Sequence, residues 1–381
     1  MMMLNVAIVG TGGIAPLHVE GYLAFPDDVR IVSLCDIYPE KAEKLAKRFN
    51  LDVTVYDNHE DMLEKEDIDL VSVCTPPYVH AEIAINSMKA GAHALVEKPM
   101  ASSLEECDAM NKASEETGKT LSIISQNRFT NPMWKLKTML DQKVIGNVLH
   151  TQVDSFWWRG HSYYDLWWRG TWEKEGGGCT LNHAVHHLDI FNWLNGRPDE
   201  ITAVMSNVAH DNAEVEDLSI AIAKYNEGGL ATLTSSVIHH GEEQQLIFQG
   251  QEGRISAPFK VDASSSRENG FPEINTQKID EIKALHDSLE DLPYEGHTGQ
   301  INNVIQFLLG KDTLVVDGIQ GKQTLELIMA IYASSQSGEK VSLPLNETHP
   351  FYTKEGVMSH APRFYEKSSS VDNFEDDVIT T

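Results

Sequence analysis

The segment Gly176-Gly-Gly-Cys-Thr-Leu-Asn-His-Ala-Val-His-His-Leu-Asp189 runs three glycines into Asn182, His183, His186, His187 and Asp189. Residues of these types, so closely spaced, can hold a metal, move a proton or orient a hydroxyl. The pattern predicts a helix over Leu181–Leu194, in which residues three and four apart share a face. Asn182, His186 and Asp189 then align, while His183 and His187 are turned roughly a third of a circle away. A metal would have to use His183 and His187 at i, i+4. No glutamate of the HExxH kind lies between them and no acidic third ligand is in register, so no metal is expected. His186 then reads as an acid–base residue, against the alternative of a buried histidine without chemistry. The glycines let the backbone pass close to a bound cofactor or sugar.

The first third of the chain supplies the elements such a site needs. LNVAIVG is a β-branched run ending in Gly10, and Gly10-Thr-Gly12-Gly13-Ile14-Ala15 then opens an apolar segment of helical spacing. In this strand-turn-helix setting Gly10 permits the tight turn, Gly12 lets a pyrophosphate reach the backbone, and Ala15 lets the helix lie close on the strand. A second strand, RIVSLCD, ends in Asp36, whose carboxylate suits the ribose of NAD and repels the extra phosphate of NADP. Strands and helices then alternate. The pattern predicts a helix over Glu40–Phe49 and strands ending at Val55 and spanning Leu70–Cys74. A helix over Val79–Ala90, a strand over His93–Val96, a helix over Leu104–Thr117 and a strand over Thr120–Ser125 follow. This is a doubly wound (Rossmann) parallel sheet, with ligands beyond the carboxyl ends of its strands. Thr75-Pro76-Pro-Tyr-Val-His80 and Glu97-Lys98-Pro99 fall at that rim, where Lys98 reads either as a working residue or as a surface lysine closing a strand.

GxGxxA, the strand-end Asp36, TPPxxH, EKP and the triple-glycine segment occur in this order, and with them the chain resembles the Gfo/Idh/MocA family of NAD(P)-dependent oxidoreductases. The likeness runs through most of the chain, to Val341-Ser-Leu-Pro344. EKP is its most specific motif. The resemblance implies that Lys98 lies beside the nicotinamide and the substrate hydroxyl, with His186 of the second domain opposite. It implies a cofactor set of Gly10, Gly12, Gly13, Ile14, Asp36, Thr75, Pro76, His80, Glu97 and Lys98. The family pattern GGGxLxDxxxH puts an acid where this chain has Asn182, a departure from the inositol dehydrogenase version. An amide orients a hydroxyl but cannot take its proton, so the proton work falls to Lys98 and His186. Asparagine here is closer to the family's sugar and sugar-nucleotide dehydrogenases.

Beyond Asn127-Arg-Phe the order changes to a helix over Met133–Leu140 and strands over Val148–Phe156, Ile201–Asn207, Leu218–Tyr225, Leu230–Ser236 and Gln245–Phe248. Turns such as Asn226-Glu-Gly-Gly229 predict an α+β domain with a mainly antiparallel open sheet, whose uncovered face suits a homo-oligomer contact. Residues 1–126 form the expected dinucleotide-binding domain, residues 127–365 the substrate-binding and oligomerisation domain, and residues 366–381 an acidic disordered tail. WWRGHSYYDLWWRGTW, residues 157–172, holds five of the seven tryptophans and suits carbohydrate, since aromatic faces stack on sugars. Tyr163 and Arg169 are its candidate substrate contacts, beside Lys98, Asn182 and His186; the alternative is that these rings pack the sheet or an interface. His297 reads as a pocket residue or as a cap at a helix start.

Composition narrows the class. With 57 acidic against 30 basic residues the net charge is -27, which repels nucleic acid and anionic lipid. The N-terminus shows no basic leader, and no run approaches the roughly 18 apolar residues of a membrane helix, so a cytoplasmic protein is expected. The four cysteines lie far apart without a CxxC and read as free thiols. The function expected is hydride transfer from a secondary hydroxyl of a sugar, cyclitol or sugar derivative to NAD. Two competing readings are an NAD-retaining glycosidase or lyase and a non-catalytic NAD-binding sensor.

Overall fold

The computed structural model describes residues 3–367 and 370–371. Two compact units divide the chain, Met1–Trp134 with Glu290–Leu325, and Lys135–Leu289 with Glu326–Thr381. The first unit alternates β1 (Leu4–Val9), α1 (Ala15–Leu23), β2 (Val29–Cys35), α2 (Pro39–Phe49), β3 (Thr54–Tyr56), α3 (His59–Lys65), β4 (Leu70–Val73), α4 (His80–Lys89), β5 (His93–Val96), α5 (Leu104–Thr117) and β6 (Leu121–Ile123). All six strands are parallel, in the order β3-β2-β1-β4-β5-β6. β4 is buried throughout and β5 nearly so, as strands covered by helices on both faces must be. Helix ends follow local chemistry. α5 starts where the Ser103 hydroxyl accepts the Glu106 amide, and it ends at Gly118 with φ +67°.

Helix α6 (Asn131–Asp141) crosses the division between units. There follow β7 (Val148–Phe156), α7 (Cys179–Asn182), α8 (Val185–Asn195), β8 (Glu200–Ser206), β9 (Leu218–Lys224), β10 (Leu230–Ser236), β11 (Gln244–Gly250), β12 (Arg254–Ala257) and β13 (Val261–Asp262). The chain continues through the hairpin β14 (Ser264–Ser266) and β15 (Pro272–Ile274), then α9 (Thr276–Ser288), α10 (Gly296–Leu308), α11 (Gly318–Ser337), β16 (Val341–Ser342) and α12 (Lys354–His360). The second unit's sheet has eight strands in the order β13-β12-β11-β7-β10-β9-β8-β16. Its pairings are antiparallel except β7 with β10, so it is mainly antiparallel as expected. On β9, Ser219, Ala221 and Ala223 point inward while Ile220 and Ile222 are 46% and 48% exposed. Val204, opposite Ile220, is 66% exposed, so one face of this sheet carries apolar side chains that the described residues do not cover.

Three expectations are revised. Residues 290–325 return to the first unit instead of extending a block over 127–365, because α10 packs on α1, where Gly21 leaves the space that Ile301 occupies. The helix expected over 181–194 is two. The amides of His183 and Ala184 both bond to the Cys179 carbonyl, at 3.1 and 2.9 Å, which ends α7 before α8 begins. Of the tail expected to be disordered, Lys367 donates to the Arg169 carbonyl at 2.9 Å and Val371 pairs with Leu166; most of residues 366–381 lie outside the described residues. No helix among the described residues is long and apolar enough to cross a membrane.

Candidate active site

In the first unit, the carboxyl ends of β1, β2, β4 and β5 deliver Gly10, Asp36, Thr75, Glu97 and Lys98 to one rim, with β1 at the switch in strand order. Gly10 has φ +89°, and a Cβ there would lie 2.7 Å from the Cys74 carbonyl group, so both conformation and space demand glycine. At Gly12 a Cβ would meet no protein atom within 4 Å, and Gly13 beside it is exposed. Ile14 precedes α1, whose start carries Pro16 and no side-chain cap, leaving a helix end suited to phosphate. Asp36 is locked to the turn: its Oδ2 accepts from the Thr11 amide and hydroxyl, both at 2.8 Å, and its Oδ1 accepts from the Tyr38 amide at 3.0 Å.

A nicotinamide dinucleotide fits these residues. The space in front of Gly12 is one that a side chain would fill, and the buried Thr75 Oγ1 has no hydrogen-bond partner among the described residues. Exposed Pro76 follows it. His80 has a different position from the cofactor contact expected of it. It is fully buried, with Nε2 2.7 Å from the Thr75 carbonyl and Nδ1 3.0 Å from that of Pro99. Its ring ties the TPP loop to the EKP loop.

Glu97 is likewise buried, and it is the centre of a cluster that spacing along the chain conceals. Its Oε1 lies 3.0 Å from His18 Nε2 and 3.2 Å from His297 Nε2, while its Oε2 accepts the Lys98 amide at 3.1 Å. Burial opposes the charge on Glu97, but the two histidine hydrogen bonds hold its carboxyl well below the usual range. Tyr22 and Ser72 extend the network, at 2.6 Å from each other, and Ser72 lies 3.2 Å from His18 Nδ1. His18, Glu97 and His297 have the spacing of metal ligands. Hydrogen bonds running from Tyr22 through Ser72 and His18 to Glu97 engage the same atoms. Lys98 itself is half-buried.

In the second unit the glycine segment is built around buried carboxylates. A Cβ at Gly178 would meet the Glu216 carbonyl oxygen, and one at Gly177 would meet the Tyr332 hydroxyl. Asn182, the last residue of α7, turns its amide nitrogen back onto the Gly177 and Gly178 carbonyls at 2.7 and 3.2 Å, which orients the side chain. His183, His186 and His187 diverge. His183 lies against Trp157 and Tyr163, with Nε2 3.5 Å from the Tyr163 hydroxyl, and His187 Nδ1 is 2.9 Å from Ser155 Oγ. His183, His187 and Asp189 are buried, whereas Asn182 and His186 are only half-buried and keep access to solvent.

Burial lowers the His187 ring to about 4, so it is neutral at physiological pH. A histidine depressed in the folded state contributes stability above its unfolded value near 6.5 that is lost as pH falls towards 4, about 3 kcal/mol here. His80, also lowered by burial, acts in the same direction. His187→Gln keeps a polar group towards Ser155 and lacks this slope. Urea denaturation of both proteins between pH 4 and 7 should give a stability difference that changes by about that amount; parallel curves would refute the assignment.

The aromatic stretch divides between packing and surface. Trp172 is buried edge-on against Tyr332, whereas Trp167 is 46% exposed. Arg169, expected at the substrate, is held inside this unit: its Cζ lies 4.1 Å from the Tyr163 ring centroid and 4.3 Å from that of Trp168. It donates to the Tyr163 hydroxyl and, at 3.2 Å, to buried Glu175, which also takes the Gly170 amide; its buried Nε lacks an acceptor among the described residues. Burial pushes the Glu175 carboxyl up, against the pull of Arg169. Sequence reasoning passed over Glu175, Glu216 and Asp217 because acidic residues beside turns read as solvated, and their partners lie far along the chain.

Comparison with known proteins agrees with this architecture. A family model described as an oxidoreductase family with an NAD-binding Rossmann fold matches residues 4–125, and the GFO/IDH/MocA C-terminal domain matches residues 133–256. The chain is a member of the Gfo/Idh/MocA oxidoreductase family. It is 26% identical over 360 residues to D-glucoside 3-dehydrogenase of Escherichia coli K12, covering 89% of this chain and 97% of that one. It is 27% identical to 2,7-anhydro-N-acetylneuraminate hydratase of the same organism, covering 83% and 86%. Among solved structures, the WlbA dehydrogenase of Chromobacterium violaceum, in complex with NADH and UDP-GlcNAcA, matches with a TM-score of 0.78 at 30% identity over 90% of this chain and 97% of that one.

Proposed function

We propose that the chain is an NAD-dependent dehydrogenase acting on a secondary hydroxyl of a sugar, cyclitol or sugar derivative. The observation that carries the reading is the rim of the first unit, where an open glycine turn, the fixed Asp36 carboxylate and the unpartnered Thr75 hydroxyl stand at strand ends beside that of Lys98. Bound NAD supplies the hydride acceptor. His186 takes the hydroxyl proton as the carbinol C–H bond breaks, and Lys98 donates a hydrogen bond to the developing alkoxide. Asn182 orients the hydroxyl, and Tyr163 with the rings around it forms a wall on which a sugar stacks. The names of the D-glucoside and WlbA dehydrogenases support this substrate class. The uncovered sheet face, with Val204, Ile220 and Ile222, suits contact with a second copy.

Its test is a panel of sugars, inositols and uronates with NAD or NADP, read by NADH or NADPH absorbance. NAD should be preferred, because a second phosphate would face Asp36, and Asp36→Ala should narrow the preference. Equal or tighter NADP binding by the wild type would overturn the assignment of cofactor. The hydratase relative favours one other reading, an enzyme that keeps its NAD and oxidises only transiently. Product formation without free NADH would establish it.

A further inference from the structure

Resting on the dehydrogenase reading, we infer that Glu216 is a positioning residue for Asn182 and His186, the buried anchor that sets where their short helices begin. The glycine segment has no conformational preference of its own, and the four residues of α7 are too few to hold a helix unaided. What holds them is Glu216, fully buried just before β9. Its Oε2 accepts the Gly178 amide at 3.1 Å, and its Oε1 accepts the Thr180 amide at 3.0 Å and the Tyr332 hydroxyl at 3.1 Å. The backbone of the same residue closes the site from the other side, since Cys179 donates its amide to the Glu216 carbonyl at 3.2 Å. Three successive amides, those of Gly178, Cys179 and Thr180, are therefore fixed by one residue.

The consequence reaches the side chains proposed to work. Asn182 is oriented by the carbonyls of Gly177 and Gly178, and the amides that close α7 return to Cys179, so the start of α8 and the place of His186 follow from the same anchored turn. Asp217 acts in parallel on the aromatic segment. It accepts the Val208 and Ala209 amides and lies 2.9 Å from His210 Nδ1, and His210 Nε2 in turn lies 3.0 Å from the Arg159 carbonyl. Packing alone does not explain a carboxylate at position 216, because an apolar side chain of similar volume avoids the cost of burying an acid. The donors aimed at it explain it.

The test uses the full chain carrying Glu216→Gln, with Tyr332→Phe as the milder variant that removes one donor and leaves the amides in place. Three quantities are read: NADH-binding stoichiometry by fluorescence, kcat and KM per NADH-binding site on the substrate found by the panel, and amide exchange over residues 176–187. Glu216→Gln is expected to bind NADH stoichiometrically, to exchange faster in that segment, and to lose about 10- to 100-fold in kcat per site, as a misplaced acid–base group does. KM is expected to change much less, and Tyr332→Phe to show the same effects more weakly. Unchanged kcat per site despite faster exchange would reduce Glu216 to a packing role and leave the dehydrogenase reading standing. If Glu216→Gln fails to fold, Tyr332→Phe decides: kcat per site within twofold of wild type overturns the inference. A wild type that turns over none of the panel overturns the dehydrogenase reading and the positioning role with it.

Discussion

Alanine at Lys98 or at His186 should lower turnover by roughly 10²- to 10⁴-fold, the range of acid–base groups acting in a transition state, while NADH binding changes little. The expectation follows from the division of labour proposed for one hydroxyl. On that proposal His186 removes the proton and Lys98 stabilises the oxygen that loses it, while the nucleotide is held mainly by the glycine turn and Asp36. The double variant should lose less than the product of the single losses, since the second substitution removes help from a step already failing. Asn182→Asp probes the same chemistry from the opposite side. An acid at that position restores the inositol-enzyme pattern and should alter the pH dependence of a folded protein. Single variants at Lys98 and His186 with near wild-type turnover on the identified substrate would sink the mechanism and favour a non-catalytic NAD-binding role.

Gly178→Ala should have the largest effect on stability. Its Cβ would be driven against the Glu216 carbonyl oxygen and carboxylate, both buried and both engaged by amides of the same turn, so nothing flexible can yield. A loss of about 3 kcal/mol, the upper part of the usual range for overpacking, is expected in urea denaturation. Gly12→Ala is the informative contrast. The added methyl meets no protein atom, so stability should be almost unchanged while NAD affinity falls. Similar stabilities for the two variants would contradict this account of the glycine segment.

Much of the first unit was legible because its signals are local. The strand His93–Val96 and the helix Leu104–Thr117 lie where apolar period and capping residues place them, and β7 and β10 likewise match alternation bounded by turns. The Gly10 turn was legible for a steric reason that needs only strand, glycine and helix in succession. α9 and the hairpin of β14 and β15 were not seen, since a helix that buries only Ile282 and strands that are largely exposed carry no clear apolar period. One helix was expected over 181–194 because periodicity alone cannot show that the Cys179 carbonyl would take two amides and end α7 early.

The amino-acid sequence by itself determined the doubly wound sheet of the first domain, the strands β7 to β11 of the second, the dinucleotide turn with its strand-end carboxylate, and the membership of a family. Tertiary structure alone decided which polar residues work as partners. His18, Glu97 and His297 come from a helix, a strand end and a returning helix; Arg169 is occupied by Tyr163 and Glu175; Glu216 reaches back across the chain to Gly178 and Thr180. The physical reason is range. Backbone sterics and apolar periodicity act over a few neighbouring residues, whereas a buried carboxylate is tolerated only where donors from distant segments converge on it, and that convergence exists only once the chain has folded.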